Sequence, residues 1–123
     1  MQFDQKDEDV RGKRWNFQDE GNLISLFEIK KGFIRGGQYH KNDVIHILIS
    51  GKVEYRKENV ITKNEEILIL EAYSMTYLPA NTSDLITALE DSIMIGLYKK
   101  DKEKTYYQKH RVIVQNQLST KNN

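Results

Sequence analysis

The sequence predicts an all-β fold, a small antiparallel β-barrel with a C-terminal α-helix. Short apolar stretches recur along the chain, at Asn22 to Ile29, Val44 to Ile49, Ile67 to Leu70, Met75 to Leu78, Leu85 to Leu89 and Ile93 to Tyr98. Turn-forming residues punctuate them at Lys31-Gly32, Gly36-Gly37, Ser50-Gly51, Lys63-Asn64, Pro79 to Asn81 and Glu90-Asp91. Many short strands with regular turns read as a sandwich or barrel. From Lys102 to Leu118 the period becomes helical, with Tyr107, His110, Ile113 or Val114, and Leu118 on one stripe.

Each segment follows from this reading. Residues 1–12 are acid-rich and poor in apolar side chains, so they are expected as a mobile N-terminal arm. Residues 13–100 form the barrel, 101–118 the helix and 119–123 a polar tail. Residues two apart on a strand share a face. Val44, His46 and Leu48 therefore share one face, and Ile45, Ile47 and Ile49 the other. A strand apolar on both faces is covered on both. One cover is the barrel interior; the other is a second sheet or a second subunit. A homodimer is the expected assembly.

Composition narrows the function. The 19 basic and 18 acidic residues leave a net charge of +1, so no bulk positive field draws nucleic acid or an anionic membrane. With no cysteine, disulfides, thiolate zinc sites and a cysteine nucleophile are excluded. Met1 to Lys13 has no apolar signal core, and the longest apolar run, Ile67 to Leu70, is far short of a membrane span. The expected setting is the cytoplasm.

Residues 32–53 carry a Gly-Gly-Gln-Tyr-His segment, Gly36 to His40, followed by Ser50-Gly-Lys-Val53. Residues 73–89 carry a strand ending in Pro79-Ala-Asn-Thr-Ser-Asp84, then an apolar strand. These resemble the two motifs of the cupin superfamily, and the resemblance covers roughly residues 9–98. It implies an antiparallel jelly-roll barrel. Asp9-Val-Arg-Gly12 and Arg35 to His40 further resemble the sugar-nucleotide branch of deoxysugar epimerases and ketoisomerases. That branch implies a dimer, a sugar or sugar-nucleotide ligand, proton movement beside a carbonyl and no metal.

The pattern departs from the family where metal cupins place their ligands. The two positions of the first histidine pair hold Gln38 and His40, the glutamate position holds Val44, and the second-motif histidine position holds Asp84. An alternative cluster of His40, His46, Asp84 and Gln38 would suit a divalent metal, as in a dioxygenase or isomerase with an unusual ligand set. The competing reading is acid–base chemistry: a carboxylate beside an imidazole fixes its tautomer and raises its pKa. His40 and Asp84 are then the catalytic candidates, with Arg35, Gln38, His46 and Tyr77 binding the ligand; Tyr77 or Tyr55 would donate to an enolate oxygen.

Plainer readings stand beside these. His40 and His46 are equally core histidines, and Asp84 equally caps the turn after Pro79. Gly36-Gly37 marks a bulge or a close backbone approach. Arg35 binds an anion such as a pyrophosphate, or pairs with a surface acid. His110-Arg111 reads as surface and packing. The resemblance places the sugar-nucleotide base at Gln38, which cannot be one, so a non-catalytic binding module is the alternative to an isomerase.

Overall fold

Alternation along the strands decides which side chains meet. The computed structural model describes residues 4–99 and 104–121. In β6 (Val44–Ser50), Val44, His46 and Leu48 are buried while Ile45, Ile47 and Ile49 are half-buried on the opposite face. In β11 (Ser92–Lys99), Ser92, Met94 and Gly96 point inward and Ile93, Ile95 and Leu97 outward.

The other strands are β1 (Asp4–Asp9), β2 (Gly12–Asp19), β3 (Asn22–Ile29), β4 (Ile34–Gly36), β5 (Gln38–His40), β7 (Lys52–Asn59), β8 (Glu65–Glu71), β9 (Ser74–Leu78), β10 (Thr82–Ala88) and β12 (Lys104–Tyr106). One sheet has the order β1-β2-β3-β11-β6-β9 and a second β4-β10-β7-β8; β12 pairs with β5. All pairings are antiparallel. The result is a small antiparallel jelly roll with one C-terminal helix, α1 (Gln108–Lys121). Its core draws Phe27, Ile29, Val44, Leu48 and Met94 from the larger sheet and Val53, Tyr55 and Ile86 from the smaller. Burying each such side chain stabilises the fold by about 1.5–3 kcal/mol before entropy is set against it.

Three boundaries differ from the sequence expectation. Residues 4–9, expected in a mobile arm, form β1, paired with β2. The Asp9 carboxylate ties the turn between them: it accepts from the Arg11 backbone N–H at 2.8 Å and pairs with the guanidinium at 2.7 Å. Lys104–Tyr106, expected at the start of the helix, instead pair with β5. The Tyr107 N–H then bonds Gly37 O, and the helix begins at Gln108. The helix also runs to Lys121, into the expected tail; residues 1–3, 100–103, 122 and 123 lie outside the described residues.

Helix α1 covers the outer side of β4 and β10. His110 and Val114 are its buried stripe, while Ile113 is 40 % exposed. Gln117 accepts from Ile34 N–H and donates to Gly32 O, both at 2.8 Å. Ser83 Oγ lies 2.8 Å from His110 Nδ1. Glu58 accepts from Lys109 Nζ at 2.7 Å and from the Tyr107 hydroxyl. Burial alone would raise the Glu58 pKa, but these two bonds outweigh it and hold the carboxyl below its ordinary value. No helix among the described residues is long and apolar enough to cross a membrane.

Candidate functional site

A cavity of about 150 Å³ lies inside the barrel between the two sheets. It collects Arg35 from β4, Gln38 and His40 from β5, His46 from β6 and Asp84 from β10. Five of the seven residues singled out from the sequence therefore meet in one place. Tyr55 does not line the cavity, being wholly buried against His46. Nor does Tyr77. Inward positions of β9 fall at Thr76 and Leu78, so Tyr77 faces outward and is 55 % exposed.

Backbone geometry brings the pieces together. Gly36 has φ 127°, and a Cβ there would collide with the Asp84 carbonyl oxygen. Only glycine lets β4 approach β10 this closely. Gly37 N–H then bonds Asp84 O at 2.7 Å. Asp84 is a buried member of β10, not a turn cap; Asp43 caps the turn after Pro79, accepting from Ala80 N–H at 2.9 Å.

His46 is fixed from both sides. Its Nδ1 lies 2.5 Å from the Tyr55 hydroxyl and its Nε2 lies 3.1 Å from that of Tyr98. Burial, aided by the nearby His40, drops its pKa to about 3, so the imidazole is neutral. One ring nitrogen then donates to a tyrosine oxygen while the other accepts from a tyrosine hydroxyl. Burial also raises the pKa of both tyrosines, with Asp84 adding to it, so both hydroxyls keep their protons.

The Asp84 carboxylate lies 3.9 Å from His46 Nδ1. Burial pushes its pKa up to about 7; the backbone N–H groups of Asp84, Gly37 and Gln38 offset part of that. Asp84 therefore exchanges protons near neutrality, which suits a general acid or base. His40 packs edge-on against Tyr98, ring centroids 5.5 Å apart.

The ligand set of His40, His46, Asp84 and Gln38 shares this cavity but not a coordination sphere. Both ring nitrogens of His46 are engaged by tyrosine hydroxyls. Among the described residues, no three His, Asp or Glu side chains gather as a metal site would require.

Several cavity residues were not assigned to the site from the sequence, Arg14, Ser25, Tyr98, Lys104 and Tyr106 among them. For Tyr98 the signal is the glycine two positions earlier: a Cβ on Gly96 would reach within 2.5 Å of the Tyr98 hydroxyl, so Gly96 makes room for it. Arg111, read from the sequence as surface and packing, is a correction. It belongs to the helix, yet lines the cavity, donating to Gly36 O at 2.9 Å and stacking 4.8 Å from the Tyr106 ring. Nothing local in the sequence marks it, because its target is on β4. Arg35 is buried and makes no direct ion pair among the described residues; it donates to the carbonyls of Glu28 at 2.7 Å and Gly12 at 3.4 Å.

This architecture recurs in solved structures. Oxalate decarboxylase from Bacillus subtilis matches at TM-score 0.73 and 16 % identity over 93 % of this chain and 34 % of that one. The formate complex of the Lactobacillus farciminis oxalate decarboxylase matches at TM-score 0.73 and 14 % identity, over 87 % and 34 %. The capsular polysaccharide assembling protein CapF from Staphylococcus aureus matches at 0.65 and 19 %, over 78 % and 29 %. The fold is a cupin-like β-barrel. At these identities the likeness shows the fold alone. The chain spans about a third of the length of these structures. No protein-family model and no curated protein sequence matches it.

Proposed function

We propose that this cupin-like barrel binds a small carbohydrate-type ligand in its interior and moves a proton on it, as an isomerase or epimerase of a sugar or sugar nucleotide does. The observation that carries this reading is the convergence of Arg35, Gln38, His40, His46 and Asp84 on one cavity. Polar side chains around a confined space suit a ligand rich in hydroxyls. Asp84, with a pKa near 7, takes a proton from the carbon beside a carbonyl, and His40 is the second acid–base group on the same wall. Tyr98, held by His46, donates a hydrogen bond to the enolate oxygen that forms. The fold likeness to a capsular polysaccharide assembling protein supports a carbohydrate setting.

A second reading rests on Gln38, which occupies the position where the resemblance puts the base: the barrel binds a ligand without turning it over. One experiment separates the two. Candidate sugars and nucleotide sugars are screened for thermal stabilisation, and each binder is then incubated with the protein in D2O. A ligand that binds and gains deuterium beside its carbonyl supports proton transfer. Binding without exchange leaves the passive module, and no stabilisation by any of them removes both.

The same reading makes the protein a cytoplasmic homodimer. On the outer face of the larger sheet, Trp15, Leu26, Ile95, Ile47 and Met75 align in one row, and Phe17, Ile24, Leu97, Ile45 and Tyr77 in the next. Two unbroken apolar rows across five strands form a surface that a second copy covers. Light scattering on a size-exclusion column is expected to give twice the chain mass, falling to one chain mass in Ile47→Lys; a wild-type monomer would refute the dimer.

A further inference from the structure

Charge around the cavity is unbalanced. Arg11, Arg14, Arg35, Lys104 and Arg111 line it, against Asp84 as the one acid among its described lining residues. Arg11 and Arg14 have acids behind them, Asp9 at 2.7 Å and Asp7 at 3.0 Å. Arg35 and Arg111 make no direct ion pair among the described residues: their guanidinium hydrogen bonds end on backbone carbonyls, and Asp9 and Asp7 act on Arg35 only from a distance, while already paired with Arg11 and Arg14. Arg35 is 7 % exposed, so its charge is largely cut off from water. Placing a guanidinium there without a directly paired anion costs free energy unless something opposite completes it.

These guanidiniums also act on one another. Burial lowers the pKa of both Arg35 and Arg111 and repulsion from Arg11 adds to it, with Asp9 offsetting part of the effect on Arg35; Arg35 falls to about 10 and stays protonated at neutral pH. Further bonding capacity is unspent. The Nε groups of Arg14 and Arg111 and the hydroxyl of Ser25, itself 4 % exposed, are buried without a hydrogen-bond partner among the described residues. All three belong to the cavity wall. The two Nε groups are donors only. A neutral polyol would satisfy them but leave the charge; a cation would add to it. An acceptor-only anion answers both.

We propose that the ligand carries an oxyanion, a carboxylate or a phosphate ester, which seats among the guanidiniums of Arg11, Arg35 and Arg111. This rests on the reading of the cavity as a carbohydrate site, and it names the class: a single-ring acidic sugar. The space of about 150 Å³ is small beside the roughly 300–1,000 Å³ of common ligand pockets, so a nucleoside would stay outside the barrel. Guanidinium groups match both anions through paired N–H donors.

The test is calorimetric titration of the full chain with glucose, glucuronate, glucose 6-phosphate and inorganic phosphate at matched ionic strength. Glucuronate or glucose 6-phosphate is expected to bind at least about tenfold more tightly than glucose, and Arg111→Gln to lose about tenfold of that, as a charged hydrogen bond should. The preference between the two acids tells carboxylate from phosphate. Arg35→Gln is the riskier variant because Arg35 also holds two backbone carbonyls, so the unliganded melting temperature of both variants is recorded. Equal binding of glucose and the acids would overturn the oxyanion while sparing the carbohydrate reading. Binding of inorganic phosphate with none of the sugars would keep the anion site and overturn the carbohydrate. If none of the four binds, both fall.

Discussion

Two buried histidines sit in comparable surroundings and do different things. His46 contacts two tyrosine hydroxyls, with a carboxylate 3.9 Å away. His110 contacts a serine hydroxyl at 2.8 Å, with a carboxylate 3.8 Å away. The second set, Ser83, His110 and Glu58, has the residue types of a hydrolytic triad. Yet all three are at most 1 % exposed, so no substrate reaches the hydroxyl. The set fastens α1 to the barrel. His46 is as deeply buried, but it faces a cavity with charge and bonding capacity to spare. Access and unspent hydrogen bonds, more than residue type, separate a reactive cluster from a structural one.

A single strand feeds both clusters. In β10, Asp84 faces the cavity and Ser83 faces His110, because successive side chains point to opposite sides. Every residue from Thr82 to Leu85 is buried, since the barrel lies on one side and α1 on the other.

The sharpest way to break this contrast is at Glu58. Glu58→Ala removes the carboxylate from Lys109 and Tyr107 and is expected to cost about 3 kcal/mol of folding stability in urea titrations. Ligand affinity per folded molecule should hold. If affinity falls as steeply as stability, the latch is part of the site.

A smaller change, of opposite sign, is expected at Asp84. Its folded pKa of about 7 exceeds its ordinary 3.8, so the native state holds this proton more tightly than the unfolded chain. Stability from this group is therefore greatest at low pH and is lost as pH rises through about 7. Asp84→Asn should raise the melting temperature at pH 8, by roughly a few degrees, and the gain should vanish toward pH 4. His46 acts in the other direction: its depressed pKa makes acid destabilising as pH falls from 6.5 toward about 3. A pH-independent gain in Asp84→Asn would mean that Asp84 does not titrate there.

The least disruptive change is Gly96→Ala. The methyl group would displace the Tyr98 hydroxyl from His46, at an expected cost of about 1 kcal/mol for the lost hydrogen bond. Ligand-dependent deuterium exchange should fall well beyond that cost, as removal of an enolate donor requires. Unchanged exchange would remove Tyr98 from the chemistry.

Much of this was legible in one dimension. Strand alternation placed His46 inside with Val44 and Leu48, and the two motif segments identified Arg35, Gln38, His40 and Asp84 as neighbours in space. Alternation also held the clue that Tyr77 is outside, since Thr76 and Leu78 take the inward places of β9. The helix stripe was readable at His110 and Val114 but not in detail, because Ile113 and Val114 compete for one turn and only packing chooses between them.

By itself the sequence determined the class of fold, most strand faces and part of the cavity's polar wall, namely Arg35, Gln38, His40, His46 and Asp84, because these follow from local periodicity and motif segments. Tertiary structure alone decided that β1 and β12 pair as strands, that Arg111 reaches Gly36 from the helix, and that His46 is neutral between two tyrosines. Each of these depends on partners distant in the chain and on removal from water, and neither separation nor burial is encoded in any local run of residues.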